Sequence, residues 1–361
     1  MSKIASAVAL GLAGLGLLVA GCGSDSKGSG TGGGAGAAKA AGSVGVDFPR
    51  ADSDFWNSYN SYVPKKAGDL GVKLLPPTNS ANDIQKLVAN VQSLTGRGAK
   101  AIVMAPQDTA AIASTLDRLA RQKIPAVSVD TRPDKGAVYM VVRADNRAYG
   151  EKACKFLGEK LKGKGNVVEF QGALSSINGR DRSEAFGACM KQNYAGIKLF
   201  AIPTDWEGPR AAAGLKATLT KTGNHVNGIY MQAGGVFLAP TLQVLKQEKL
   251  LVAPDDPKHI FIVSNDGIPQ ELQGIAKGQI DATVSQPADA YAEWGLFYAK
   301  AAMEGKTFKP GPTDHNSTIV KIPNGLEDQL AAPLVTVKGQ KIADIETLAA
   351  GDQSLWGNQV K

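Results

Sequence analysis

The sequence is poor in the residues that build metal sites and redox centres. Its 361 residues hold three Cys and three His. Cys22, Cys154 and Cys189 lie far apart with no CxxC pair, and His225, His259 and His315 form no HExxH and no His/Cys cluster. That spacing does not support a zinc site, and no metal or other cofactor is expected. No run of five or more Lys/Arg occurs, and no basic stretch is interleaved with aromatics. The formal charge of +7 therefore reads as a solvated surface, and no nucleic-acid partner is expected. GxSxG and P-loop motifs are missing, and no GxGxxG follows the first strand pattern. The common signatures of hydrolases, NTPases and dinucleotide enzymes are thus absent. No catalytic residue is assigned.

What is present points to a globular, exported protein. Hydrophobic residues make up 43% of the chain, enough for a sizeable core and two domains. Residues 1–20 carry one positive charge, Lys3, and then an apolar run too short and too Gly/Ala-rich for a comfortable membrane span. The run ends in Leu18-Val19-Ala20-Gly21-Cys22, which resembles a lipoprotein signal. Residues 1–21 are then a signal peptide and Cys22 the lipidation site, anchored to the outer face of the cell membrane. The alternative is an ordinary signal peptide with an incidental Cys. Residues 22–42 are almost all Gly, Ala, Ser and Lys, cannot bury apolar area, and read as a flexible tether. Cleavage would leave two Cys in an oxidising compartment. Cys154 and Cys189 both lie in helical patterns, so a disulfide between them is expected, with two buried free thiols as the alternative.

From residue 44 onward, short β-branched runs alternate with helical patterns. Strands are expected at 43–48, 72–75, 101–105, 126–129, 166–171, 197–202, 228–232, 260–264 and 282–285. Helices are expected at 54–70, 82–95, 109–122, 151–161, 183–192, 209–221 and 239–247. In residues 82–95 the apolar positions Ile84, Leu87, Val88, Val91 and Leu94 mark one buried face. Continuously apolar strands between helices mean a parallel sheet covered on both faces. The pattern restarts after a join around 143–147. The expected class is therefore α/β, read as two Rossmann-like lobes, with one long sheet as the alternative that periodicity alone does not separate.

Ligands of open α/β sheets bind beyond the carboxyl ends of the strands. The residues there are Ser53, Phe55 and Trp56 after the first strand, and Asp130 after 126–129. Arg180 follows the 166–171 strand, Trp206 the 197–202 strand, Asp266 the 260–264 strand and Gln286 the 282–285 strand. Flat aromatics cover the C–H faces of sugars, Asp accepts from hydroxyls and Arg donates to them. Singly, each has an ordinary structural alternative as core residue, turn former or helix-surface ion pair. Their joint placement at matching strand ends favours a binding site.

At these residues the chain resembles the periplasmic sugar-binding proteins of the ribose and galactose type, the cluster-B or type I substrate-binding proteins of ABC importers. The resemblance runs from Val44 to about Lys321. It is carried by Gly45-Val46, Phe55-Trp56, Ile84 to Gly98, Ile124-Pro125-Ala126-Val127 with Asp130, and Asp145-Asn146. Further pieces are Gln171-Gly172, Arg180-Asp181-Arg182 with Glu184-Ala185-Phe186, Asp266-Gly267 and Ala282 to Pro287.

The resemblance implies a type I periplasmic-binding-protein fold with three crossings between lobes, near Asp145-Asn146, Gln286-Pro287 and about Asn316. The lobes are then 43–145 with 287–315, and 146–286 with 316–361. It implies that Ser53, Phe55 and Trp56 contact and sandwich a sugar ring, that Asp130 accepts and Arg180 donates, and that Trp206, Asp266 and Gln286 complete the site. The chain departs from the family at Ala105, where a polar residue is usual, and at Ala233-Gly234-Gly235, which replaces Asn-Asp.

The expected function is delivery of a monosaccharide, or a related polyol or cyclitol, to the membrane permease of an ABC importer. The chain is expected to act as a lipid-anchored monomer that closes on its ligand. A sensing lipoprotein that presents the ligand to a membrane receptor is the nearest alternative, and a glycoside-processing enzyme a more distant one. A transcription regulator of this fold would need a helix-turn-helix before residue 45, where the signal and tether stand.

Overall fold

A computed structural model describes residues 42–360. The expected signal peptide, the lipidation site Cys22 and the tether up to residue 41 lie outside the described residues.

The chain opens with strand β1 (Ser43–Phe48), helix α1 (Asp54–Asp69), β2 (Thr78–Asn79), α2 (Ile84–Gly96), β3 (Ala99–Met104), α3 (Ala113–Arg121), β4 (Ala126–Val129) and β5 (Met140–Ala144). It continues through α4 (Asn146–Lys160), β6 (Lys164–Gln171), α5 (Ile177–Asn193), β7 (Gly196–Pro203), α6 (Gly208–Thr222) and β8 (Gly228–Met231). Next come α7 (Gly234–Gln247), β9 (Phe261–Asp266), α8 (Pro269–Ala276) and β10 (Ala282–Ser285). The last elements are α9 (Ala288–Met303), β11 (Gly311–Pro312), β12 (Thr318–Ile322), β13 (Gly325–Leu330), β14 (Leu334–Thr336), β15 (Thr347–Ala349) and α10 (Trp356–Gln359).

The strands form two sheets. The first runs β11-β12-β13-β5-β4-β3-β1-β2 and the second β15-β14-β10-β9-β8-β6-β7. In each, the first strand in sequence, β1 or β6, lies between the second and the third. The winding reverses there, and such a switch point opens a crevice at the strand ends. The central strands are parallel and buried on both faces, as their mostly apolar runs lead one to expect: Val44, Val46, Ile102, Val127 and Val129 are fully buried.

Local signals explain the helix starts. Asp83 caps α2 by accepting from the N–H groups of Gln85 and Lys86, and Leu87, Val91 and Leu94 form its buried face. Asp145 caps α4 through the N–H groups of Arg147 and Ala148, at the first crossing between lobes. Cys154 of α4 and Cys189 of α5 are joined by a disulfide, with their Cα atoms 6.2 Å apart.

Three expectations change. Residues 72–75 give only a single bridge, Leu74 to Val44, because Pro76-Pro77 offer no N–H donors and the ladder resumes at Thr78. Strand β5 follows β4 without an intervening helix, so the βα alternation did not reveal it. The third crossing is not at Asn316. The β12–β13 hairpin belongs to the first sheet, where β13 pairs in parallel with β5 from Glu327–Val141 to Leu330–Ala144. The chain crosses after Leu330, and β14 then pairs antiparallel with β10 of the second sheet. The hairpin closes through its own cross-strand bonds, which an alternation-based division of the chain cannot detect.

Candidate functional site

Both sheets turn their carboxyl ends toward one shared cleft. Ser53, Phe55, Trp56, Asp130, Trp206, Asp266 and Gln286 all line it. The eighth expected residue, Arg180, does not. Its guanidinium donates to Asp134 Oδ1 at 2.6 Å, to Thr109 Oγ1 and to the carbonyls of Leu174 and Ser175, at the rim. The inward cation is Arg182, which is 3% exposed. The helical repeat gives the reason. Asn178 and Arg182 are four residues apart on α5 and share its inner face, whereas residue 180 lies nearly opposite.

Arg182 is held from three sides. Its Nε donates to Asn146 Oδ1 at 2.6 Å, its Nη2 to Gln286 Oε1 at 2.7 Å, and its Nη1 to the Gln232 carbonyl. The guanidinium also lies over the rings of Tyr149 and Trp206, 4.9 and 5.8 Å from their centroids. Asn178, from the same face, donates to Asp130 Oδ2 at 2.9 Å and accepts from Arg143 at 2.9 Å. Asp130 and Arg143 belong to the first lobe and Asn178 to the second, so the lobes touch through this polar set.

The backbone at the site is unusual. Asp130 has φ +62°, Trp206 +61° and Asp266 +120°, conformations that non-glycine residues rarely adopt. Such strain is held only where surrounding structure fixes it, and it gathers at functional positions. Several buried polar atoms here have no protein partner: Asp130 Oδ1, Thr131 Oγ1 and Trp206 Nε1. Buried polar atoms are nearly always satisfied, which sets these apart from the rest of the interior. Burial pushes the Asp130 carboxyl up to about 6, against the opposing pull of Arg182, Arg143 and Asn178. Burial raises Asp266 as well, although Arg182 and the Gly235 N–H at 2.7 Å favour its ionised form.

Phe55 and Trp56 open α1 and meet edge to face, 5.1 Å between centroids. They are both core and wall. Ser53 is the N-cap of α1 but makes no capping bond, which leaves its hydroxyl at the cavity. Trp206 stacks on Phe237. Its indole occupies the space above Gly172, where a Cβ would fall 1.9 Å from the ring. Sequence reasoning did not assign Arg50, Gln107, Thr131, Ser176, Asn178, Arg182 or Val236 to the site; they also line the space, as does Ala233, which the sequence had marked as a departure from the family. For Asn178 and Arg182 the four-residue spacing was the available signal. Arg50 and Gln107 are placed by loops and gave none.

Residues 44–307 match the family described as periplasmic binding protein domain. The ribose import binding protein of Haemophilus influenzae is 26% identical over 74% of this chain and 87% of its own. The xylitol-binding protein of Mycolicibacterium smegmatis is 26% identical over 65% of each chain. Among solved structures, an ABC transporter solute-binding protein from Mycobacterium smegmatis with bound glycerol superposes with a TM-score of 0.71. It is 22% identical and is matched over 85% of this chain and 100% of its own. With a fold of two wound sheets, a cavity between their carboxyl ends and a family match over most of its length, this chain belongs to the periplasmic binding protein family.

Proposed function

We propose that the protein is an extracytoplasmic solute-binding lipoprotein that carries a monosaccharide, or a related polyol or cyclitol, to the permease of an ABC importer. One observation carries this reading: aromatic rings, two buried carboxylates and a buried guanidinium from both lobes converge on one cleft. Phe55, Trp56 and Trp206 cover the C–H faces of the ligand. Asp130 Oδ1 and Thr131 accept from its hydroxyls, and Arg182 and Trp206 Nε1 donate to them. The names of the ribose and xylitol relatives support a hydroxyl-rich ligand. No covalent chemistry is assigned to the site.

A ligand held by both lobes favours the closed form, because only contacts present in that form bias the equilibrium. The three crossings, after β5, β10 and β13, act as the hinge. We take 43–145 with 287–330 as one lobe and 146–286 with 331–361 as the other. Cys22 supplies the lipid anchor, and the protein works as a monomer. No helix among the described residues is long and apolar enough to cross a membrane.

A thermal-shift screen over pentoses, hexoses, polyols and cyclitols tests the proposal. A ligand at a hundred times its Kd stabilises the fold by about 2.7 kcal/mol, which raises the midpoint by a few degrees. The expected hit loses its effect in Arg182→Ala. The reading fails if nothing in the panel stabilises the wild type, or if Arg182→Ala responds equally.

A further inference from the structure

Arg143 does not line the cavity, yet it is tied to it. It stands near the end of β5, just before the crossing at Asp145, and is buried. Its Nη2 donates to Asn178 Oδ1 at 2.9 Å and to Asp181 Oδ2 at 3.2 Å, both on α5. Its Nη1 lies 3.8 Å from Glu327 Oε2, a buried carboxylate of β13. Strands β5 and β13 belong to the first sheet, and α5 connects β6 and β7 of the second. One guanidinium therefore joins three elements across the two lobes.

A guanidinium carries donors only, so the Asn178 amide must turn its oxygen to Arg143 and its NH2 group the other way. There Nδ2 donates to Asp130 Oδ2 at 2.9 Å. One carboxylate oxygen is thus engaged, and the other, Oδ1, stays buried without a protein partner in a residue that lines the cavity. Without Arg143 the flipped amide would be open to Asn178, and that orientation sets its oxygen against the carboxylate, acceptor against acceptor. Electrostatics run the same way. Burial disfavours the ionised form of Asp130, and Arg182, Arg143 and Asn178 oppose it.

We propose that Arg143 is a positioning residue for ligand binding: through Asn178 it orients Asp130 so that Oδ1 is presented to the cavity as a hydroxyl acceptor. Its bonds to α5 cross between the lobes, so this alignment belongs to the closed form and favours it. The inference rests on the reading of the cavity as a sugar or polyol site.

Removing the guanidinium alone leaves Glu327 buried with only the partly exposed Arg132 nearby, at 3.6 Å, which destabilises the fold. The test therefore uses the full chain carrying Arg143→Met/Glu327→Gln, which removes both charges together. A second variant, Arg143→Lys, keeps a charge opposite Glu327 but replaces the fork by a single ammonium. Titration calorimetry with the ligand found by screening, below the unfolding range of each variant, should show binding weakened about tenfold or more, the worth of a buried charge-assisted hydrogen bond. In an Asn178→Ala background the same changes should cost less than about twofold, because the relay is already broken. Carbon-13 NMR of the Asp130 carboxyl in the ligand-free protein is the independent readout. It should titrate at higher pH in the double variant than in the wild type, a change that lost packing alone would not produce. The inference is overturned if the folded variants bind like the wild type, if the loss is as large in the Asn178→Ala background, or if the Asp130 titration stays in place. If no ligand binds the wild type, the sugar reading of the cavity fails, and the Asp130 titration alone then supports or overturns the relay.

Discussion

Arg180 reaches from α5 of one lobe to Asp134 of the other, Nη2 to Oδ1 at 2.6 Å. Arg180 and Arg182 are two residues apart yet serve different places. The rim pair is about a third exposed on each side, so water screens it and it contributes little, about 1 kcal/mol at most. Arg182 is buried and hydrogen-bonded to three partners. Arg180→Ala should weaken ligand binding by no more than about fivefold, by loosening closure. Arg182→Ala should cost about 2–5 kcal/mol, thirtyfold or more in affinity, because it strips a buried charged donor from its partners. Calorimetric titration of both variants with the ligand found by screening distinguishes them.

Gly172 is needed for the place of Trp206. A methyl group there would overlap the indole, with 1.9 Å to the nearest ring carbon, so the ring must move. Gly172→Ala should lower affinity at least tenfold while the apo protein stays folded. Affinity and the tryptophan emission spectrum, measured together, check this.

Asp130 gives a pH dependence with a definite sign. Its ordinary pKa of 3.8 rises to about 6 in the fold, so between these values the folded protein holds a proton that the unfolded chain has released. The apo protein therefore loses stability as pH rises from about 4 to about 6, and gains none from this group above that. Asp130→Asn should flatten this slope by up to about 3 kcal/mol, leaving the part due to other buried acids such as Asp266. Asn tolerates the positive φ at this position. Urea unfolding at a series of pH values reads it out. A slope unchanged in the variant would show that Asp130 is ionised in the fold at low pH.

Glu169 should act similarly at higher pH. Burial pushes it up to about 8, while its Oε1 accepts from Gln232 at 2.8 Å. Glu169→Gln keeps an acceptor and removes the charge. The variant should be more stable than wild type at pH 8, and its advantage should shrink as pH falls toward 4.5. Denaturation midpoints at the two pH values decide the matter.

The Cys154–Cys189 bridge closes a loop with a sequence separation of 35. Such a loop stabilises the fold by about 3–4 kcal/mol, chiefly through the unfolded state. The Cys154→Ala/Cys189→Ala double variant should lose that much stability and become insensitive to dithiothreitol. Its ligand affinity should be unchanged, since neither residue lines the cavity.

Much of the fold was legible because strand and helix periodicities are local. The run Ala126 to Val129 is small and mostly apolar because both faces of its strand are covered, and that pattern is written in four consecutive residues. Residue positions at strand ends followed directly, which is why Asp130, Asp266 and Gln286 could be named. Arg180 was misassigned because the start of α5 was not known. The helix begins at Ile177, and one register choice decides whether 180 or 182 faces inward. The third crossing was displaced for a related reason: Thr318 to Leu330 form a hairpin whose partner, β5, is far away in sequence.

The sequence by itself determined the alternation of elements, the α/β class and the kinds of side chain at the strand ends, because each depends on neighbours along the chain. Only the tertiary structure decided that the strands divide into two sheets, that Asp130 meets Asn178, and that Arg182 and not Arg180 enters the cavity. Those pairings bring together residues from separate parts of the chain, and they depend on how two sheets are set against each other, which no local pattern encodes.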